Sequence, residues 1–316
     1  MKTRREFTKL AALGVLGAIP FNGLANPLFN SVVDLNTGLD ISIFSKHLQF
    51  LDYETTGAMA AEMGFSGVDL TVRPKGHVLP SNVEKDLPKA IAAIKKGGSS
   101  CKMITTTIEN ASKQLDIEVI KTAAKEGVMF YRSNWFAYKK EISMEDSLAF
   151  YTEEIQKLGE LNKKFGIIGC YQNHAGLKIG GSFWEVKKIL ETVDSNYFGV
   201  QYDIRHATVE GGGSWKNGLA LLQSYIKTIV LKDFKWAQIK GKWKLVNVPI
   251  GEGMVDFDAY FKLLKKYSLK PPVSLHLEYD LGGAEKGKHS ITVDKKVVYD
   301  AMKKDLKTIN TLWKNA

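Results

Sequence analysis

From residue 39 onward the chain repeats one pattern: a short apolar run, a stretch of helical periodicity, then a glycine. The apolar runs fall at 39–44, 67–72, 102–108, 128–133, 167–171, 198–202, 228–231 and 273–277. Short runs made mostly of apolar and β-branched residues read as strands covered on both faces, the habit of parallel sheets. The periodic stretches follow at 54–63, 87–96, 117–126, 144–165, 184–193, 219–225, 257–267 and 294–313. Gly64, Gly97, Gly127 and Gly166 stand where helix C-caps belong. Eight β-then-α units in residues 39–316 predict a single-domain (β/α)8 TIM barrel. A doubly wound open sheet is the alternative, but no Gly-x-Gly-x-x-Gly or Walker-type loop opens a helix here.

Four of the apolar runs end in polar side chains able to bind a ligand. They are Gln172-Asn173-His174, Asp203-Ile-Arg205-His206, Lys232-Asp233 and His276-Leu-Glu278. In a barrel such ends converge on the C-terminal mouth, where the chemistry is done. A longer loop carrying Arg73 and His77 follows the second run. The segment 237–253 is an insertion with Lys240-Gly241-Lys242 at its turn. The alternation in 243–248 predicts a β-hairpin over the mouth.

The formal charge is +10, but the lysines are scattered rather than gathered into a stripe. Scattered charge reads as a solvated surface, and a nucleic-acid partner is not expected. Cys101 and Cys170 lie at predicted core strands and read as buried free thiols. Residues 1–25 read as a twin-arginine-type signal peptide: Arg4-Arg5, a mildly apolar stretch, then Gly23-Leu24-Ala25 as cleavage site. The apolar stretch is too short to span a bilayer, so no stable membrane anchor is expected. Export to the periplasm is, with residues 26–38 as a linker to the barrel.

These features resemble the xylose isomerase-like TIM barrels, the superfamily of sugar phosphate isomerases, ketose 3-epimerases and endonuclease-IV-type enzymes. The resemblance covers essentially all of the chain after the leader. It rests on Ala61-Glu-Met-Gly-Phe-Ser-Gly-Val-Asp-Leu70, Gly76-His77-Val78, Asp203-x-x-His206, Lys232-Asp233, the Gly-x-Gly of 249–257 and Glu278. It implies a sugar substrate and one divalent metal (Mn, Mg, Zn or Fe) at Asp203, Gln172 and Glu278, all oxygen donors. Two positions depart from the epimerase quartet: Gln172 stands for a glutamate and Val230 for a histidine. An amide cannot take up a proton near neutral pH, which bears against the epimerases' two-glutamate route. The endonuclease branch needs more metal-binding histidines than this mouth offers.

The expected enzyme is an exported sugar isomerase or epimerase that moves a proton next to a carbonyl, with metal assistance. Glu278 is its base, and His206 and Lys232 are further catalytic candidates. Arg73, His77, Asn173, His174 and Arg205 are candidate substrate contacts, and Trp135, Trp236 and Trp243 a candidate sugar-stacking platform. A lyase or hydratase on a keto-sugar or keto-glycoside is the first alternative, since it needs one base and one acid. A non-catalytic sugar-binding barrel is the second. A homo-oligomer is compatible with all three.

Overall fold

The computed structural model describes residues 34, 35 and 37–316; the signal-like segment and most of the linker lie outside the described residues. Seven strands follow one another: β1 (Ile41–Phe44), β2 (Gly67–Val72), β3 (Met103–Thr106), β4 (Phe130–Arg132), β5 (Ile168–Gln172), β6 (Phe198–Asp203) and β7 (Ile226–Leu231). A two-stranded excursion, β8 (Asp233–Ile239) and β9 (Lys242–Val248), precedes the last barrel strand, β10 (Val273–Leu275). The eight barrel strands are parallel and form a closed ring in which β10 pairs with both β7 and β1. This is the (β/α)8 barrel that the eightfold alternation predicts.

The helices are α1 (Tyr53–Met63), α2 (Val83–Lys96), α3 (Gln114–Lys125), α4 (Met144–Phe165), α5 (Phe183–Ile189), α6 (Ile204–Gly211), α7 (Trp215–Leu222), α8 (Phe257–Lys266) and α9 (Lys295–Asn315). Local chemistry sets their ends. Asp52 and Ser143 accept from backbone N–H groups in the first turns of α1 and α4. Gly64 and Gly166 close the same helices at φ 91° and 73°, where a Cβ would be strained. No helix among the described residues is long and apolar enough to cross a membrane. α6 is not foreseen in the sequence. Its residues look like a polar rim, yet Asp203 caps them by accepting from the His206 N–H at 3.0 Å.

The barrel interior has a polar layer beneath the mouth. Asp69 on β2 accepts from Thr105 on β3 at 3.0 Å and from Ser274 on β10 at 2.6 Å. Because β1 separates β2 from β10 in the ring, these groups meet inside the barrel. Burial raises the Asp69 carboxyl to about 6 against the pull of the two hydroxyls. Cys101 and Cys170 are buried free thiols.

The excursion is the predicted hairpin, entered directly from β7 through Lys232. Lys240 and Gly241, at φ 51° and 74°, form its two-residue turn. Positive φ at both positions is the type I′ geometry that matches strand twist. Asp233 anchors its base. One carboxylate oxygen accepts from the N–H of Phe234 and Val255, the other from Gly251 and Gly253. A Cβ on Gly253 would lie 2.2 Å from that carboxylate. The Lys-Asp pair and the Gly-x-Gly segment are therefore one cluster, built by wrapping backbone amides around a buried acid.

Candidate active site

The polar strand ends surround a cavity of about 330 Å³, within the range of small-ligand sites. Lys46, Arg73, Arg132, Trp135, Gln172, His174, Arg205, His206, Lys232, His276 and Glu278 line it, with Phe44 and Asn247.

Asp203 sits at its base, fully buried. One carboxylate oxygen caps α6. The other accepts from the Gln172 amide at 2.8 Å and pairs with the Lys232 ammonium at 3.0 Å. Lys232 also lies 2.8 Å from His206 Nε2, while Arg205 Nη1 lies 3.0 Å from His206 Nδ1. Burial, reinforced by Lys232, His174 and Arg205, pushes His206 well below its ordinary pKa, so the ring is neutral. A neutral imidazole accepts at one nitrogen only. One of its two cationic neighbours therefore makes no hydrogen bond there and has a donor left for a ligand.

Glu278 stands across the mouth just past β10. The Lys46 ammonium holds both its oxygens at 2.9 Å, and His276 Nδ1 lies 3.7 Å away. Burial alone would raise this carboxyl. The His276 ring and the ammonium groups of Lys46 and Lys232 outweigh it and hold the group well below the usual carboxylate range. Burial lowers Lys46 in turn, against the pull of Glu278. The hairpin closes this side: Asn247 accepts from Arg205 at 2.7 Å and donates to the Glu278 carbonyl at 3.2 Å.

The structure gathers Glu278, His206, Lys232, Arg73, Arg205 and His174 around one space, with Gln172 beside them. It turns two expected substrate contacts elsewhere. Asn173 is buried and clamps the Asp203 backbone, accepting from its N–H at 2.8 Å and donating to its carbonyl at 3.0 Å. The His77 ring lies 3.1 Å from Ser45 Oγ and outside the cavity lining. Of the three tryptophans only Trp135 lines the cavity; Trp236 and Trp243 are 44% and 66% exposed on the hairpin. Lys46 and Arg132 are the residues the sequence reading misses. Lys46 follows a strand that carries no other charge, and Arg132 sits inside an aromatic run. His47 is structural: it accepts from the Leu277 N–H, which leaves Nδ1–H to donate to the Ala284 carbonyl.

The expected metal set does not fit this arrangement. Asp203 is taken up by a helix N-cap, an amide and a lysine, and Glu278 by a lysine on both oxygens. Gln172 gives its amide nitrogen to Asp203 and keeps Oε1 buried without a partner, so it is the one member of the set with an oxygen left to offer. Among the described residues no three His, Cys, Asp or Glu side chains converge as a ligand set. Two ammonium groups occupy the places where a cation would neutralise these acids.

Burial sets a pH dependence. His77, His174 and His276 are lowered to about 4, desolvation being the largest cause in each, and His47 and His206 lie well below their ordinary value. The unfolded chain protonates all five near 6.5, so it binds more protons than the native state below that pH. Stability is then present above about 6.5 and lost as pH falls toward 4. Asp69 and Asp305, both raised to about 6 by burial, take up protons in the native state and offset part of the loss. We expect urea unfolding to show stability falling by about 2–4 kcal/mol per pH unit between pH 6 and 5. A flat profile there would mean these rings are protonated in the fold.

A family model described as a xylose isomerase-like TIM barrel matches residues 57–293. No curated protein matches the chain in sequence. Among solved structures, D-allulose 3-epimerase from Methylomonas sp. is 14% identical, with 87% of this chain and 98% of that one covered and a TM-score of 0.64. The 3-keto-D-glucoside 4-epimerase of E. coli is 13% identical, with coverage of 85% and 99% and a TM-score of 0.61. A xylose isomerase-like barrel from Mycobacterium smegmatis in complex with magnesium is 11% identical, with coverage of 89% and 99% and a TM-score of 0.63. At these identities the likeness is one of fold. The matched model spans most of the barrel, and on that ground the chain belongs to the xylose isomerase-like TIM barrel family.

Proposed function

We propose that this chain is an exported sugar-modifying enzyme that removes the proton beside a carbonyl with one carboxylate base and lysine acids. β-Elimination from a keto-sugar or keto-glycoside is the outcome its residues support best. The observation that carries this reading is the pairing of each site carboxylate with an ammonium, Glu278 with Lys46 and Asp203 with Lys232. Glu278 takes the C–H proton as the electron pair moves to the carbonyl oxygen. Lys46, released from Glu278, or Arg205 stabilises the enolate. The electron pair then returns to expel the leaving group from the adjacent carbon, and Lys232 supplies the proton it needs.

His206 is not that acid, because a ring held neutral has only a weakly acidic N–H near neutral pH. Gln172 faces Asp203 and is no second base, which disfavours two-base epimerisation. Aldose–ketose isomerisation is the second reading, because one base on one face of an enediol suffices for it. A divalent ion would enter only by displacing both lysines.

The test is incubation of free sugars, keto-sugars and keto-glycosides in D₂O with a chelator present, read by mass spectrometry. Loss of water or of the glycosidic alcohol is expected, with deuterium entering only the substrate recovered after reversible proton removal. Deuterium uptake at constant composition would assign isomerisation instead. Turnover that appears only when Mn²⁺ or Mg²⁺ is restored would overturn the lysine-based reading, and no exchange with any sugar would favour a binding protein.

A further inference from the structure

Five cationic side chains line the cavity: Lys46, Arg73, Arg132, Arg205 and Lys232. Three carboxyls answer them. Glu278 and Asp203 are each taken by a lysine, and Asp69 lies below, held by Thr105 and Ser274. At least two positive charges are thus left without a counter-charge among largely buried side chains, an expensive arrangement unless a ligand completes it. No guanidinium lies within ion-pair distance of a carboxylate among the described residues. Arg132, nine-tenths buried, donates to the Thr106 carbonyl at 3.2 Å and lies 4.1 Å from the Trp135 ring centre. Its Nη1 has no partner, and neither does the Trp135 indole N–H beside it. Arg73 rests 5.4 Å from the Phe44 ring centre. Arg73 and Arg132 also repel each other strongly enough to lower Arg132 further after burial, which places both charges over one space.

We propose that Arg73 and Arg132 form a carboxylate subsite, so that the substrate is a sugar acid rather than a neutral sugar. A planar carboxylate accepts two parallel N–H donors from a guanidinium fork. Arg132 Nη1 and the Trp135 N–H are unpartnered but closed to water, so a turn of these two cavity-lining side chains is what brings the donors to it, beside Arg73. Trp135 offers an apolar edge to the ring that carries the acid. This assignment rests on the site being the sugar site argued above, but its test needs no turnover.

The experiment is calorimetric titration of the whole purified chain with D-glucuronate, D-glucose and D-glucose 6-phosphate, at low and at high salt. Glucuronate is expected to bind at least about tenfold tighter than glucose, with the margin shrinking in salt. Arg132→Gln and, at the more exposed rim, Arg73→Gln should each bring glucuronate down toward glucose, with thermal unfolding confirming that both variants fold. Glucose binding as tightly as glucuronate, or a preference that survives both substitutions, overturns the subsite. Tighter binding of glucose 6-phosphate overturns the carboxylate in favour of a phosphate ester. Exchange of deuterium into a neutral keto-sugar without any glucuronate preference would sink this proposal and leave the proton-transfer reading standing.

Discussion

Glu278→Gln is expected to slow deuterium incorporation into a bound keto-sugar by about a hundred- to ten-thousandfold while leaving sugar affinity within about threefold. The amide keeps the shape and one acceptor for Lys46, so the cavity persists and only the base is lost. At rest the carboxylate is a poor base, because Lys46 holds both oxygens and its proton affinity is depressed. Proton abstraction therefore needs Lys46 to leave, and the developing negative charge on the substrate oxygen is what would draw it away. Lys46→Met separates the two roles. If Lys46 only restrained the base, its removal would speed exchange; as the group that stabilises the enolate, its removal slows it. Full exchange in Glu278→Gln would move the base elsewhere, with His174 the next candidate. Its Nδ1 donates to the Ala175 carbonyl at 2.7 Å, which leaves the Nε2 lone pair free.

The barrel was legible because its signal is additive. Eight apolar runs, each bounded by periodic helices, survive errors of a residue or two at any one boundary. The β2 and α4 limits agree with the sequence reading residue for residue, while α5 ends four residues early at Ile189. Asp203 and Glu278 each stand where an apolar run stops, and that break is what the sequence shows of them. Orientation was not. Asn173 and His174 are consecutive, and only the backbone's alternation decides that one clamps Asp203 while the other faces the cavity. Lys46 and Arg132 were missed for a related reason. A lone cation among apolar neighbours looks like a surface charge until the ring closes and turns it inward. Lysines, common in any basic chain, stand against both acids that the resemblance offers as ligands, and no motif in the sequence marks that pairing.

Lys232→Met is expected to destabilise the fold by about 3–5 kcal/mol, because it leaves the carboxylate of Asp203 buried without its cation. Asp203 is wholly inaccessible and Lys232 nearly so, so solvent cannot screen the loss as it does for surface pairs. The remaining donors to Asp203 are neutral, the Gln172 amide and the His206 N–H. The double variant Asp203→Asn/Lys232→Met removes both charges and keeps the N-cap, since asparagine caps as well as aspartate. It should regain all but about 1–2 kcal/mol. Denaturant unfolding of the parent, Lys232→Met, Asp203→Asn and the double variant closes the cycle. A single-variant cost below about 1 kcal/mol would mean another cation neutralises Asp203. The same variants address the metal directly. With Lys232 gone, Asp203 is released toward the cavity, and removing Lys46 as well frees Glu278 across the mouth. Stabilisation of Lys46→Met/Lys232→Met by Mn²⁺, absent from the parent, is the result expected if the two ammonium groups stand where a divalent ion would otherwise sit. Equal stabilisation of the parent would show that the ion competes successfully with both lysines, and the lysine-based chemistry would fall with it.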